Sequence, residues 1–249
     1  MRTLVISDIH GCYDEFNALL KNVDYKPEQD KLILVGDYVD RGLKSKDVVK
    51  QVKSLVEEWG VIALRGNHDQ MMVDALDKEN EEDDARWIRN GAFQTVESYS
   101  NLDLSDESSG RDLYIEGKEF IKNNYPHHLE FLKSLPLYYE TDRHIFVHAG
   151  INPEHENWKE SQSLRDFIWI RDSFFNHATK LDKKVVFGHT PAVNLHESAD
   201  VWFSPIGDKI GIDGGCVFGY KLNCLEISEE GDYKTYFVKK NEEEISDHK

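Results

Sequence analysis

The sequence predicts an α/β fold built on a β-α-β-α-β core. Three short apolar runs in the first seventy residues, each typical of a buried strand, alternate with two segments whose apolar residues recur at helical spacing. Right-handed crossovers of this kind produce a parallel sheet whose strands end at a common edge, where ligands bind in open α/β sheets. Because each apolar run leads directly into polar residues, we expect a binding site at that edge.

The elements of this core follow one another without long gaps. The first helix, for example, is predicted from Phe16, Leu19, Leu20 and Val23, which would share one face. The predicted strand, helix, strand, helix and strand cover residues 4–6, 14–23, 32–35, 47–59 and 61–64.

The remainder of the chain is predicted to contain a helical insertion followed by more strands. Residues 71–140 have an irregular helical pattern broken by glycines, and we expect this segment to cover the site, with a mobile stretch near 105–110. Because no linker rich in proline, glycine or serine is present, we expect one domain over residues 1–249, ending in an acidic tail at 240–249. Further strands are predicted at 145–147, 185–187 and 210–212, and a closing antiparallel meander at 217–218, 222–227 and 233–238.

The composition excludes several classes of protein. The net charge of −17 argues against a nucleic-acid-binding surface, because neutralising phosphates requires clustered lysine and arginine. Three cysteines without metal-ligand spacing suit a reducing compartment better than a disulfide framework. The first apolar run is too short for a signal peptide, and no stretch reaches the roughly 18 apolar residues of a membrane span. We therefore expect a cytoplasmic protein that binds neither membranes nor nucleic acids.

Five short segments rich in aspartate, histidine and asparagine decide the functional interpretation. Each lies just beyond an apolar run, so the fold would bring side chains from distant parts of the chain to one place. The segments are Asp8-Ile9-His10-Gly11, Gly36-Asp37-Tyr38-Val39-Asp40-Arg41-Gly42, Arg65-Gly66-Asn67-His68-Asp69, His148-Ala149-Gly150 and Gly188-His189-Thr190.

These segments offer oxygen and nitrogen donors without thiolates, a set that suits Mn²⁺, Fe, Zn²⁺ or Mg²⁺. Asp37 can bridge two ions, because a carboxylate has two oxygens. Six candidate ligands with one shared aspartate imply two ions about 3.5–4 Å apart with a water or hydroxide between them, an arrangement that promotes displacement at phosphorus. The candidate ligands are Asp8, His10, Asp37, Asn67, His148 and His189.

The order of the five segments resembles the phosphoprotein phosphatase branch of the calcineurin-like metallophosphoesterases. The closest resemblance is to the small bacterial and phage members, which include symmetrical diadenosine tetraphosphatases. It extends from residue 3 to about residue 227 and implies a metallophosphoesterase fold, in which a central β-sandwich is flanked by helices. Two positions depart from the family pattern, since Ser7 replaces a glycine and Asp69 replaces a glutamate.

The resemblance assigns metal ligands residue by residue. The second ion would share Asp37 with the first, and Mn²⁺ is the expected metal, with Fe, Zn²⁺, Ni²⁺, Co²⁺ and Mg²⁺ as alternatives. The first ion would bind Asp8, His10 and Asp37, and the second Asp37, Asn67, His148 and His189.

The resemblance also implies how the substrate is handled. His68 would be the general acid that protonates the leaving oxygen, and Asp40 would orient it. Arg41 and Arg171, together with Asn67, would bind the phosphate, because a guanidinium fork matches its oxygens.

The resulting hypothesis is a two-metal phosphoesterase that hydrolyses phosphomonoesters, including phosphoserine and phosphothreonine proteins, by direct attack of a metal-bridging hydroxide. The alternative substrate is diadenosine tetraphosphate or another nucleoside polyphosphate, cleaved symmetrically, and an inactive binding scaffold is a third possibility. We expect the insertion at 71–140 to distinguish the substrate classes. The sequence leaves open the oligomeric state and the roles of Arg65 (phosphate or carboxylate partner), Trp87 (core or pocket wall), His196 (rim or structural) and Asp213 (turn or site).

Overall fold

A computed structural model of the chain describes residues 1–78, 80–104 and 110–241. The strands are β1 (Thr3–Ile6), β2 (Lys31–Leu34), β3 (Ile62–Ala63), β4 (Tyr138–Glu140), β5 (His144–Val147), β6 (Lys184–Phe187), β7 (Trp202–Phe203), β8 (Lys209–Gly211), β9 (Lys221–Ile227) and β10 (Tyr233–Lys239). The α-helices are α1 (Tyr13–Asn22), α2 (Ser45–Trp59), α3 (Asn67–Lys78), α4 (Glu81–Arg89), α5 (Ala92–Ser100), α6 (Gly110–Asn124), α7 (Pro126–Ser134), α8 (Trp158–Ser161), α9 (Leu164–Trp169) and α10 (Asp172–Phe175). Two 3₁₀ helices cover Ala192–Asn194 and Cys216–Phe218.

Two five-stranded mixed sheets form the centre of the fold. The first has the order β10-β9-β1-β2-β3, with β1, β2 and β3 parallel and the other two strands antiparallel. The second has the order β4-β5-β6-β8-β7, with β5, β6 and β8 parallel and an antiparallel strand at each edge. The predicted β-α-β-α-β core is confirmed as β1 to β3 with α1 and α2 between them.

The two sheets share a buried apolar layer. Val5 and Ile33 of the first sheet cluster with Phe146 and Val186 of the second, whereas Leu4 belongs to the cluster beneath the helices. Because side chains alternate between the faces of a strand, β1 is buried on both faces, which explains its uninterrupted apolar sequence. Burial of each such side chain contributes about 1.5–3 kcal/mol, so this layer holds the strand ends in fixed relative positions.

Two predicted elements differ from the structure. The end of the segment predicted as a helical insertion forms β4, in which Tyr138 and Tyr139 pair with β5, as suits aromatic residues on a pleated surface. Residues 217–218, predicted as a strand, lie in a 3₁₀ helix instead. Gly215 and Gly219 flank it with left-handed φ angles of 66° and 91°, which turn the chain at both ends.

The insertion is helical from α3 to α7 and packs on α2 through α5 and α7. The single-domain interpretation of residues 1–249 stays a prediction. The stretch predicted to be mobile lies outside the described residues apart from Gly110, as does the acidic tail beyond residue 241. Among the helices that the structure describes, none is long and apolar enough to cross a membrane.

Candidate metal centre and active site

The five polar segments meet at one place, where the parallel strands of both sheets end. Asp8 and His10 follow β1, Asp37 follows β2, and Asn67 opens α3 just after β3. The second sheet contributes the residues that follow β5 and β6, which are His148 and His189. The site therefore lies at the carboxyl edge that the sequence predicts, but it draws on both sheets of the sandwich.

The backbone is strained at many of these positions. Six of the predicted site residues have left-handed φ angles, which cost non-glycine residues of order 1 kcal/mol or more each and cluster at functional sites. A Cβ at Gly66 would overlap the Asp37 carboxylate, and one at Gly188 would overlap that of Asp8. The loops are thus shaped to bring the carboxylates against the backbone. The six are Asp8, His10, Asp37, Asp40, Arg41 and His189.

Asp37 lies between two imidazoles. Its Oδ2 is 3.4 Å from Nε2 of His10 and 3.4 Å from Nε2 of His148. Each imidazole is oriented by its other nitrogen, because Nδ1 of His10 is 2.7 Å from the carbonyl oxygen of Val39 and Nδ1 of His148 is 2.8 Å from that of Val35. In the tautomer that donates Nδ1–H to a carbonyl, Nε2 carries the lone pair with which an imidazole binds a cation. The Asp37 carboxylate thus lies between the two imidazoles, as the sequence-based prediction of a shared carboxylate requires.

The remaining predicted ligands border the same centre. Asn67 Oδ1 lies 2.9 Å from Nε2 of His148. Asp8 accepts the backbone N–H of His189 at 3.0 Å and the hydroxyl of Ser7. Ser7, the departure from the family pattern, therefore orients a predicted ligand.

The donor set fits divalent cations. Nε2 of His189 is buried and has no hydrogen-bond partner among the described residues. A buried polar atom without a partner costs about 1–3 kcal/mol, and a bound cation would remove that cost. Asp37 and His189 form one potential ligand group with His148, and Asp37 forms another with His10 and His68. Carboxylate and imidazole donors suit Mn²⁺, Fe or Zn²⁺.

The electrostatics of the metal-free site favour exchange of a proton for a cation. Burial raises the pKa of Asp8 to about 6. Burial alone would lower the pKa of His148, but attraction to Asp37 raises it to about 9. Burial holds the pKa of His10 and of His189 well below the usual value, so both imidazoles are neutral, the form that can bind a cation. Without a cation, a proton on His148 compensates the charge of Asp37, and a metal ion would displace that proton.

His68 is held by a buried carboxylate. Its Nδ1 lies 2.7 Å from Oδ2 of Asp40, which leaves Nε2 available to the cavity. The other oxygen of Asp40 accepts hydrogen bonds from Nε1 of Trp87 at 2.8 Å and from Oγ1 of Thr95 at 2.9 Å. Trp87 is fully buried and thus belongs to the core rather than to the pocket wall. Trp87 and Thr95 both belong to the helical insertion, so the insertion supports the site by fixing the Asp40 carboxylate.

The two predicted phosphate-binding arginines both line the cavity. Nη1 of Arg41 lies 3.1 Å from Nε2 of His10, so its guanidinium reaches the centre of the site. Arg171 donates to Oγ1 of Thr190 at 2.9 Å. Arg65 points elsewhere: it donates to Oε1 of Gln70 at 2.8 Å and to the carbonyl of Leu135 at 3.1 Å, rather than to phosphate or Asp40.

Asp69, the other departure from the family pattern, supports the backbone of the site. Its carboxylate accepts N–H groups of Asp37, Tyr38 and Gly66 at 2.8–2.9 Å. The carboxylate therefore fixes the loops that carry Asp37 and Asn67.

The cavity has a volume of about 440 Å³ and includes residues that sequence reasoning did not assign to it. Phe218 and Tyr220 are 55% and 49% exposed, and Trp169 lies edge-on to the His189 ring at 5.9 Å. No local pattern distinguishes such residues from core aromatics. Asp213 also lines the cavity while accepting the N–H of Gly215 at 2.8 Å, so it serves both the turn and the site wall. The walls consist of Asp8, Asp37, Arg41, Asn67, His68, Asn90, Trp169, Arg171, His189, Pro191, Val193, Asn194, Asp213, Phe218 and Tyr220.

His196, whose role the sequence leaves open, and most of the described part of the insertion, which is expected to cover the site, do not contribute to this wall. His196 is half-buried, and its Nε2 lies 3.1 Å from the carbonyl oxygen of Asp200. Within the described part of the insertion, Asn90 is the residue that reaches the wall. The aromatic residues of the wall thus come from α9 and from the segment before β9.

Comparison with known proteins agrees with this geometry. Serine/threonine-protein phosphatase 1 of Salmonella typhimurium is 28% identical over 225 residues, which cover 90% of each chain. The asymmetrical bis(5'-nucleosyl)-tetraphosphatase PrpE of a Geobacillus strain is 30% identical over 92% of this chain and 91% of the relative. A symmetrical bis(5'-nucleosyl)-tetraphosphatase of Enterobacter is 55% identical, but over 69 residues, or 28% of this chain and 24% of the relative.

A crystal structure of a candidate diadenosine tetraphosphatase has the same fold, with a TM-score of 0.63 and 21% identity over 96% of this chain and 94% of that one. The model of the family described as calcineurin-like phosphoesterase matches residues 1–219. The chain therefore belongs to the calcineurin-like phosphoesterases and is a metal-dependent hydrolase.

Proposed function

We propose that the chain is a two-metal phosphoesterase whose ions share Asp37. The observation that carries this proposal is the position of Asp37 Oδ2, 3.4 Å from Nε2 of both His10 and His148. The unpartnered Nε2 of His189 supports it. A pair of divalent ions polarises phosphoryl oxygens and supplies a nucleophile at neutral pH. Asp8 and His10 would hold one ion and Asn67, His148 and His189 the other, with Asp37 common to both.

The other side chains of the site have complementary tasks in this proposal. Nε2 of His68 donates a proton to the leaving oxygen, since Asp40 holds Nδ1 from the opposite side. Arg41 and Arg171, which both line the cavity, bind phosphate oxygens. Asp40 is a positioning residue, because it acts through the imidazole of His68.

We infer that a dinucleoside polyphosphate is the substrate that the cavity suits best. Phe218 and Tyr220 expose about half of their surface in the cavity wall, and Trp169 lines the same wall. Aromatic faces bind nucleobases by stacking, which contributes about 1–3 kcal/mol per base. Arg41 lies 5.0 Å from the ring centre of Phe218, so a phosphate contact and a base contact are adjacent. Relatives named as bis(5'-nucleosyl)-tetraphosphatases that match most of the chain agree with this inference.

Phosphomonoester hydrolysis, including that of phosphoserine and phosphothreonine proteins, is the second candidate. It is supported by the Salmonella relative, which is named as a serine/threonine-protein phosphatase and matches 90% of the chain. Both candidates use the same metal centre and the same acid. They differ in what the aromatic wall contacts.

The discriminating experiment compares kcat/KM of Mn²⁺-loaded protein on diadenosine tetraphosphate and on a phosphothreonine peptide. We expect the dinucleotide to be preferred. We also expect Phe218→Ala or Tyr220→Ala to raise its KM about 5- to 150-fold, the equivalent of one lost stacking contact, without affecting p-nitrophenyl phosphate. Phe237→Ala is the matched control, because Phe237 is 46% exposed on β10, outside the cavity wall.

A higher kcat/KM on the peptide, together with an unchanged KM for the dinucleotide in both variants, would assign the second candidate. Chromatography of the products establishes where the dinucleotide is cut. Two ADP molecules indicate symmetrical cleavage, as the sequence predicts, whereas ATP with AMP indicates asymmetrical cleavage.

A further inference from the structure

A second cluster of potential metal ligands lies outside the active site. Within the described residues, three groups of side chains bring at least three potential ligand atoms together, and two of them belong to the active site. The third consists of Cys12, Glu15 and Cys216, whose ligand atoms all lie within 4.8 Å of one another. All three residues are buried, with exposures of 2%, 3% and 1%.

Only one of the two carboxylate oxygens of Glu15 has a hydrogen-bond partner among the described residues. Its Oε1 accepts the backbone N–H of Asn241 at 3.2 Å and forms an ion pair with Nζ of Lys240 at 3.0 Å. Its Oε2 is buried and has no hydrogen-bond partner among the described residues. The neighbouring Cys12 thiol and burial raise the pKa of the Cys216 thiol well above its usual value. A buried carboxylate that lies with two thiols and has one oxygen without a hydrogen-bond partner is costly unless a cation is bound there.

We propose that Cys12, Glu15 and Cys216 bind a third metal ion of the Zn²⁺ class, separate from the catalytic pair. Zn²⁺ accepts two thiolates and a carboxylate, whereas Mn²⁺ and Mg²⁺ prefer oxygen donors. A tetrahedral ion with Zn–S bonds of about 2.3 Å separates its two sulfurs by about 3.8 Å, within the span of this cluster. Three protein ligands leave the fourth position to a water molecule.

The location of this site indicates a structural role. Cys12 directly precedes α1 and lies two residues after His10, and Cys216 opens the 3₁₀ helix that contains Phe218. An ion bound to both would cross-link the loop of a predicted catalytic ligand to the aromatic wall of the cavity. The charges agree with this assignment, because Lys240 offsets the negative charge that two thiolates and a carboxylate leave on a divalent ion.

Co²⁺ substitution tests this site separately from the catalytic centre. A thiolate bound to Co²⁺ produces a near-ultraviolet charge-transfer band, and the proposed catalytic ligands are nitrogens and oxygens that cannot produce it. We expect wild-type protein titrated with Co²⁺ to develop this band and to bind three ions per chain. Cys12→Ser and Cys216→Ser should lose the band and one bound ion. Glu15→Gln should weaken the Co²⁺ affinity of this site, measured from the growth of the band during titration, by at least about tenfold.

Cys224→Ser is the matched control, because Cys224 is equally buried but lies outside the cluster. It should retain the band and three ions. Wild-type protein that binds Co²⁺ without a thiolate band would overturn the proposal, as would a band that survives both Cys12→Ser and Cys216→Ser. If those variants do not fold, zinc X-ray absorption of the wild-type holoprotein decides: sulfur neighbours at about 2.3 Å support the site, and their absence refutes it.

Discussion

Replacement of His68 by asparagine tests the proposed proton donor directly. Asparagine is smaller than histidine but still offers an N–H group to Asp40, so the change chiefly removes the titratable proton. In the wild-type protein, Nδ1 of His68 lies 2.7 Å from Oδ2 of Asp40, and both side chains are buried. This geometry leaves Nε2 available to the cavity, where the proposed substrate would bind.

The expected loss follows from what general acid catalysis contributes. A positioned acid accelerates reactions by about 10²–10⁴-fold, which corresponds to about 2.7–5.4 kcal/mol of transition-state stabilisation. The full loss is expected in kcat on an alkyl phosphate such as a phosphothreonine peptide, whose leaving oxygen is basic and requires a proton. On p-nitrophenyl phosphate the loss should be much smaller, because p-nitrophenolate departs without protonation.

The assay is a comparison of kcat for the two kinds of leaving group in the wild type and the variant. His128→Asn is the matched control, because His128 is also buried, with Nδ1 2.9 Å from the hydroxyl of Tyr99, but lies outside the cavity wall. It should reduce stability without changing the ratio between the two substrates. Equal losses on both substrates in His68→Asn would refute the acid role.

Three further predictions concern the support and the charge of the site. Asp37→Asn should reduce bound Mn²⁺ from two ions to one or none, measured by elemental analysis, and a variant that still holds two would contradict the shared-ligand assignment. Trp87→Phe removes one hydrogen bond to the Asp40 carboxylate, and such a bond to a charged group contributes about 1.5–3 kcal/mol. If the transition state loses this stabilisation, kcat should fall about 10- to 150-fold while KM stays constant. An equal rise in KM would instead indicate a general structural defect. In metal-free protein the pKa of His148 is raised to about 9 by Asp37, so its stabilising contribution is complete below pH 6.5 and is lost as pH rises through 9. The melting temperature of metal-free protein should therefore fall over that interval while the affinity for Mn²⁺ rises. Calorimetry at several pH values measures both quantities. An affinity that stayed constant would disprove the exchange of the His148 proton for a metal ion.

The metal-binding chemistry could be predicted from the sequence because it depends on residue types that follow short apolar runs. Asp8 and His10 lie just beyond a strand in any parallel core of this kind, and the same holds for Asp37. The structure places them within one centre with His148 and His189, and their roles as ligands stay predictions. The fold and the family are confirmed.

The surroundings of that centre could not be predicted in the same way. Trp87 and Thr95 both lie in the helical insertion, and nothing in their local sequence indicates that they bind Asp40. Arg65 lies within a motif, yet its guanidinium turns to Gln70 and to a backbone carbonyl. The hydrogen-bond partners of these side chains depend on which surfaces of the fold pack together, and those surfaces come from segments far apart in the sequence.

By itself, therefore, the sequence determined the fold class and the reaction class and predicted the set of donor side chains, because strand periodicity and ligand chemistry are local properties. The tertiary structure alone decided what surrounds those donors. It placed Phe218 and Tyr220 in the cavity wall, joined Trp87 to Asp40, and brought Cys12 within reach of Cys216 across two hundred residues of chain. Packing of two sheets and several loops sets such contacts, and no short segment of sequence contains the information that specifies them.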